Sequence, residues 1–351
     1  MTDQFACIGL SRNPTLPNIP GVQDFKGTAY HTSRWPQEDV TFEGKRVGII
    51  GTGATAIQAI PVIAKTAKSL TVFQRTANWR EAFWEELYAK PGFPMWLCNY
   101  KEISVDEKAN DLITAFVAKK IKERVHDPWT ADKLVPKNHE FGTRRVPMET
   151  SYYEAYNQPN VRLIDLHETP IERVTQNGLK TTDEDFEFDI LIYATGFDAV
   201  TGAFDAIDFR GINNHSLVDE WRDGPRTYLG PTIEHFPNMF MSIGPHQAYG
   251  NIPRSIEYAV GWVAECIEYC RDHDITSIEA RDEAVQEWTD HVHALGKNLL
   301  SNKADSWMSG VNRNVAGKDK RIVARYMGSS PDFRKRCNEV SKDHYKAFKL
   351  E

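Results

Sequence analysis

Residues 45–75, KRVGIIGTGATAIQAIPVIAKTAKSLTVFQR, constrain the fold more than any other stretch of the chain. Lys45 to Ile50 is a short apolar run suited to a buried parallel strand. Gly51-Thr52-Gly53-Ala54-Thr55-Ala56 follows as G-x-G-x-x-A, and the residues after it carry helical apolar spacing. Gly51 makes the tight turn, Gly53 lets backbone approach a pyrophosphate, and Ala56 is small enough for close helix–strand packing. The helix N-terminus then offers unpaired N–H groups to phosphate oxygens. The strand Ser69 to Phe73 ends in Gln74-Arg75-Thr76, with no acidic residue. An NAD site places Asp or Glu about 20 residues beyond the glycines to hold the ribose hydroxyls. Arg75 would instead pair with a 2′-phosphate, so the pattern points to NADP(H). The alternative for the same pattern is a glycine-rich turn without a ligand.

Just upstream, Phe25-x-Gly27-x-x-x-His31-x-x-x-Trp35-Pro36 matches the fingerprint of the Baeyer–Villiger monooxygenases, which the chain resembles. Taken alone, these residues form a linker whose His31 and Trp35 pack between domains. The resemblance likewise implies a hinge between flavin and NADP domains and not a catalytic histidine. It continues through Phe141-Gly142-Thr143-Arg144-Arg145, Tyr152-Tyr153-x-x-Tyr156-Asn157, Ala194-Thr195-Gly196-Phe197-Asp198, Gly224 to Gly230, Phe236-Pro237-Asn238, Gly244-Pro245 and Ser306-Trp307-x-x-Gly310-x-Asn312. Nearly the whole chain is covered.

The resemblance implies roles for single positions. Arg145 matches the family's catalytic arginine, which contacts NADP and stabilises negative charge on the oxygenated flavin; a guanidinium stays charged and offers a planar fork of donors. Arg144 stands where the family often has Lys, beside the 2′-phosphate. A solvated basic pair is the plainer alternative for both. Thr195 and Gly196 fall in the family's cofactor-contacting A-T-G segment. Trp307 matches an aromatic on a mobile loop over the nicotinamide; a packing tryptophan is its alternative.

The expected fold is α/β: a Rossmann-like NADP-binding domain with a helical insertion, plus the C-terminal part of a flavin-binding domain. The expected boundaries are 1–40 for interdomain linker and remnant of the FAD domain, 41–200 for the NADP domain with its insertion at about 80–140, and 201–351 for the flavin-type part. The resemblance implies FAD as well as NADP(H), yet no G-x-G-x-x-G precedes Gly51, and FAD binding is in question on that count. An N-terminal truncation is one expectation, and a second gap after Trp79, where the chain runs into Arg80-Glu81-Ala82-Phe83-Trp84, is another.

Periodicity predicts helices over Asp106–Val125, with Leu112, Ile113, Phe116, Val117 and Ile121 facing inward, and over Arg254–His273, with Ile256, Val260, Val263, Ile267 and Cys270 inward. With 351 residues, net charge −7 and 41% hydrophobic residues, the chain has room for two domains, and its charge argues against nucleic acid. It has no apolar run of the roughly 18–20 residues of a membrane span. Five scattered cysteines without C-x-x-C fit a reduced, cytoplasmic setting. No spacing suggests a metal, and His291 and His293 do not share a helix face. His246-Gln247 is a loop pair near the expected substrate side.

Three functions follow. The first is NADPH- and O2-dependent oxygen insertion beside a ketone, with a small carbonyl compound as substrate. The second is a flavin-independent isomerase, cyclase or hydrolase on the same fold. The third is a non-catalytic remnant, a homo-oligomer or a subunit completed by a partner chain, with exposed apolar surface sought at Phe5–Leu10 and Phe236–Ile243.

Overall fold

The computed structural model describes residues 4–6, 13–79, 101–147, 149–248 and 250–351. The chain divides into two compact units, Pro14–Gly196 and Met1–Asn13 with Phe197–Glu351. The segment expected after Trp79 at Arg80–Trp84 lies outside the described residues.

The central unit is built on a five-stranded parallel sheet. Its strands are β1 (Thr28–His31), β2 (Arg46–Ile50), β3 (Ser69–Gln74), β4 (Val161–Asp165) and, last in the chain, Ile190–Tyr193. A three-stranded antiparallel sheet, β5 (Ile171–Thr175), β6 (Gly178–Thr181) and β7 (Asp185–Glu187), precedes that final strand, which is therefore β8. The parallel order is β1-β8-β2-β3-β4. Within the stretch expected as linker, Thr28–His31 pairs residue for residue with Ile190–Tyr193 and forms an edge strand of this sheet.

Strand alternation decides which side chains meet which layer. Val47, Ile49, Leu70, Val72, Ile190 and Ile192 point to one face and pack under helix α1 (Ala54–Ala64). Ala56, Ile57, Ile60, Ile63 and Ala64 are the buried side of that helix. Ile50, Phe73, Leu191 and Tyr193 point the other way and meet Val174, Leu179, Phe186 and Phe188 of the small sheet segment. Gly48 lies under Phe188, where a Cβ would sit 2.8 Å from the ring.

Helices α2 (Glu107–Arg124) and α3 (Pro128–Leu134) form the insertion, each opened by an aspartate cap, Asp106 and Asp127. The expected inner face of α2 is corrected: Asn110, Val117 and Ile121 are buried, whereas Leu112 and Phe116 are exposed. Asn110 takes the inward position because its amide donates to the carbonyls of Ile103 (2.7 Å) and Phe141 (2.8 Å).

In the second unit, strand Gln4–Ala6 runs parallel to β9 (Met239–Met241), which follows the short helix α4 (Leu217–Glu220). Helix α5 (Ile252–Asp272), β10 (Ile278–Ala280), helix α6 (Asp282–Gly296), helix α7 (Ser330–Lys342) and β11 (Phe348–Leu350) follow, with β10 and β11 antiparallel. Trp262, Val263, Cys266, Cys270, Trp288, Phe333 and Phe348 make one core. The inner face of α5 is rotated from expectation: Ala259, Trp262, Val263, Cys266 and Cys270 are buried, whereas Val260 is 40% exposed. Trp262 explains this, since its indole N–H needs a buried acceptor and finds the carbonyl of Cys337 at 3.0 Å. A second core gathers Phe204, Leu217, Trp221, Ile233, Phe236 and Met241. Phe236, Phe240, Met241 and Ile243 are buried, so the exposed apolar surface sought at Phe236–Ile243 is not there. The side chains of Phe5–Leu10 lie outside the described residues.

Candidate nucleotide-binding site

The turn after β2 carries two glycines held for different reasons. Gly51 has φ +105°, and a Cβ on it would lie 2.4 Å from the carbonyl oxygen of Ala194. Only glycine tolerates both the dihedral and that approach. Gly53 has φ −74° and caps α1, and a Cβ there would meet nothing within 4 Å. The space over Gly53 is therefore open, in front of the free N–H groups of an 11-residue helix. Thr52 and Ala56 are buried, Ala54 is half-buried and Thr55 exposed. This cradle has the shape and the donors that a pyrophosphate requires.

Two hydrogen bonds bring further loops to this helix end. The Thr52 hydroxyl donates to the Thr76 carbonyl at 3.0 Å, fixing the end of β3 beside the glycine turn. The Asn78 amide donates to the Arg145 carbonyl at 3.2 Å, fixing the Arg144-Arg145 segment beside the same loop. Arg75 and Arg145 are exposed and Arg144 is half-buried. Three arginines thus sit on segments tied to the glycine turn, and cations there suit phosphate oxygens. Asn78 was not singled out in the sequence, because a lone amide carries no pattern until the fold sets it opposite Arg145.

The arginine segment has a rigid support. Glu149 is buried and accepts from Arg124 Nη1 at 2.6 Å and from the Tyr152 backbone N–H at 2.7 Å. Arg124 also grips Glu154 through Nε (2.5 Å) and Nη2 (2.7 Å), and lies 5.0 Å from the Tyr153 ring centroid. On the other side, the Trp79 indole donates to the His139 carbonyl at 2.9 Å and packs edge-on against Phe141. Burial, and secondarily the charge of Arg144, push the His139 imidazole down to about 3.

Thr195 and Gly196 also adjoin the glycine turn. Thr15 N–H donates to the Gly196 carbonyl at 3.0 Å, the Thr15 hydroxyl donates to the Thr195 carbonyl at 3.1 Å, and the Thr195 hydroxyl donates back to the Thr15 carbonyl. Gly196 has φ +82° with open space at its Cβ position.

The fingerprint residues lie on the edge of the same sheet. His31 ends β1 and caps the turn Thr32–Arg34, accepting from the Ser33 N–H at 3.2 Å. Its imidazole is lowered chiefly by burial. Trp35 lies 5.1 Å from Tyr30 and 6.2 Å from Phe42, between ring centroids. Phe25 packs with the core beneath β8, Gly27 closes on the Asp189 carbonyl, and Pro36 is half-buried. These contacts build the edge of a sheet.

Trp307 belongs to the second unit, where it opens a short 3-10 turn, is 39% exposed and lies 6.0 Å from the Arg325 guanidinium. His246, a loop residue near the expected substrate side, is a core histidine. It is fully buried, with Nε2 at 2.9 Å from the Val323 carbonyl and Nδ1 at 3.3 Å from the Thr227 hydroxyl, and burial lowers it to about 4. Gln247 is likewise spent on the Met241 carbonyl.

A family profile described as flavin-binding monooxygenase-like matches residues 3–206. The 2-oxo-Delta(3)-4,5,5-trimethylcyclopentenylacetyl-CoA monooxygenase of Pseudomonas putida is 39% identical over 394 aligned residues, covering 95% of this chain and 72% of its own length. That alignment is longer than this 351-residue chain, so the relative carries residues within the matched range that this chain lacks. The cyclopentanone 1,2-monooxygenase of Comamonas sp. (strain NCIMB 9872) is 36% identical, covering 98% of this chain and 72% of its own. A crystal structure of OTEMO in complex with FAD and NADP is 38% identical with a TM-score of 0.92, covering 99% of this chain and 75% of that one. Whole-chain identity at this level, with one family profile spanning more than half of the sequence, makes the chain a member of the flavin-binding monooxygenase-like family, among its Baeyer–Villiger monooxygenases.

Proposed function

We propose that the central unit binds NADPH and that the protein serves NADPH-dependent, Baeyer–Villiger-type oxygenation of a small cyclic ketone. The observation that carries this reading is the open helix end at Gly53, with Arg75, Arg144 and Arg145 on segments tied to it through Thr52 and Asn78. Relatives named for cyclic ketone substrates support the substrate class.

In this reading the backbone of Gly51–Ala54 receives the pyrophosphate and Arg75 takes the 2′-phosphate. Arg144 adds charge beside it, and Arg145 is aimed at the nicotinamide end by its carbonyl bond to Asn78. Ala194–Gly196 walls the turn. A bound nicotinamide supplies a hydride; the chain's part is to hold and orient it. Flavin, bound together with NADP in the OTEMO structure, would supply the oxygen chemistry. The non-redox alternatives have no observation in their favour.

Dissociation constants for NADPH and NADH test the nucleotide assignment. Arg75→Ala is expected to weaken NADPH by roughly 10- to 100-fold, the worth of a charge-assisted bond, while leaving NADH unchanged. Equal affinities for both nucleotides, unaltered by the substitution, overturn it. Ketone-dependent NADPH oxidation by flavin-loaded protein, with lactone or ester product, tests the reaction.

A further inference from the structure

The second unit holds a cluster that the spacing of residues in the sequence does not announce. His215 closes the turn after Ile212–Asn214, Glu220 ends the short helix Leu217–Glu220, and His235 precedes the buried Phe236. His215 Nε2 lies 2.6 Å from Glu220 Oε2, and His235 Nδ1 lies 3.7 Å from the same oxygen. The three donor atoms all fall within 4.8 Å of one another, and the two imidazole centroids are 4.9 Å apart. His235 Nδ1 is shielded from solvent and has no hydrogen-bond partner. A buried ring nitrogen aimed at a carboxylate that already faces a second imidazole is short of one atom between them.

We propose that His215, Glu220 and His235 form a binding site for a divalent first-row transition-metal ion, with Zn2+ as its best-suited occupant. Two imidazoles and one carboxylate are an established donor set for such ions, and ligands at about 2.0–2.1 Å in a tetrahedron stand about 3.3 Å apart. The two histidine–carboxylate separations, 2.6 and 3.7 Å, bracket that value, and the third pair lies within 4.8 Å, so side-chain rotation completes the site. His215 Nε2 must offer a lone pair: the proton it directs at Glu220 moves to Nδ1 of a neutral ring, or leaves to solvent from a charged one. Solvent fills the fourth position.

The frame is already rigid. The Ile212 N–H donates to the His235 carbonyl at 2.9 Å, joining the two histidine segments through backbone. Gly211 permits that approach, because a Cβ there would lie 2.0 Å from the His235 oxygen. His235 itself has φ +64°, a conformation that costs a non-glycine residue energy and aims its ring at Glu220. Leu217, Trp221, Ile233 and Phe236, which flank the three ligands, share one buried core. The outer oxygen of Glu220 faces Arg226 Nε at 3.6 Å, and Arg226 is matched by Glu234 at 2.9 Å. Two carboxylates against one guanidinium leave negative charge for a cation. Glu279 accepts the His235 backbone N–H at 3.2 Å and so fixes that segment from the other side.

The test is titration of the chelator-treated full chain with Co2+ and Zn2+, following the visible Co2+ bands, competition with a chromophoric chelator, and thermal stability. One ion per chain is expected, with a melting temperature that rises with free Zn2+. His235→Ala and Glu220→Gln are each expected to weaken Zn2+ by more than the about 10- to 100-fold that loss of an outer partner costs. His291→Ala, a histidine outside the cluster, is expected to change nothing. Absence of stoichiometric uptake, or uptake that survives both ligand substitutions, overturns the proposal. Should a ligand variant fail to fold, imidazole 15N shifts of the wild-type chain decide. Zn2+ must move His215 Nε2 and His235 Nδ1, and unmoved signals overturn the site.

Discussion

Gly51 and Gly53 are two residues apart and glycine for opposite reasons. At Gly51 the protein needs the missing side chain, since a Cβ would enter the Ala194 carbonyl in a backbone conformation that L-residues avoid. At Gly53 the protein has room to spare, and what needs the missing side chain is the ligand. Substitution separates the two. Gly51→Ala is expected to destabilise the fold by more than about 1 kcal/mol through a contact and a strained φ, read from denaturant unfolding. Gly53→Val is expected to leave the unfolding free energy within about 0.5 kcal/mol of wild type while abolishing NADPH binding, read by titration. A Gly53→Val chain that binds NADPH normally would move the pyrophosphate elsewhere.

At the scale of elements, α2 holds the arginine segment from both ends, through Asn110 at Phe141 and through Arg124 at Glu149. Arg124 closes the end of the helix and satisfies the buried Glu149 carboxylate, which in turn anchors the Tyr152 N–H. Arg124→Ala strands that carboxylate, and about 3 kcal/mol of stability is expected to go with it. Arg124→Ala with Glu149→Gln should recover much of the loss, because an amide needs no counter-charge; unfolding curves of the two variants check this. The β2–α1–β3 unit was legible because a period of two, a period of 3.6 and a glycine turn each leave a local mark, and the stretch from Lys45 to Arg75 carries all three. The inner faces of α2 and α5 were less legible. Periodicity weighs apolar residues, but Asn110 and Trp262 won the inward positions through hydrogen bonds to carbonyls distant in sequence. The same holds for the candidate site. Arg75, Arg144 and Arg145 were visible as residues, whereas their attachment to one turn depends on Thr52 and Asn78, which only the folded chain brings into register. His215, Glu220 and His235 follow no helix or strand period, so their convergence left no trace in the sequence.

At the scale of the whole molecule, buried histidines contribute a loss of stability on the acid side. His139 is lowered to about 3 and His246 to about 4, both chiefly by burial, against an ordinary value of 6.5. Above pH 6.5 both states leave these rings neutral and the rings add no pH dependence. As pH falls below 6.5, the unfolded chain takes up protons that the folded chain refuses, so stability falls towards the folded values. Each ring contributes a slope of about 1.4 kcal/mol per pH unit. His139→Gln is expected to lose about 2 kcal/mol less than wild type between pH 6.5 and pH 5, measured by urea unfolding at each pH. Parallel curves for the two proteins would mean that His139 takes up its proton without cost.

The mutual bonds between Thr15 and Thr195, with Thr15 N–H on the Gly196 carbonyl, have one more consequence. Pro14–Gly196 is continuous, whereas the other unit is assembled from the chain on both sides of it. The entry and exit of the central unit are thus clasped together by bonds of its own. Such a cassette carries its own closure. Residues 14–196 expressed alone are expected to unfold in one cooperative transition and to retain NADPH affinity within about tenfold of the full chain. Because Asn13–Pro14 pairs with Phe197–Asp198, a short bridge from Asn13 to Phe197 would then rejoin the rest of the chain once the cassette is cut out.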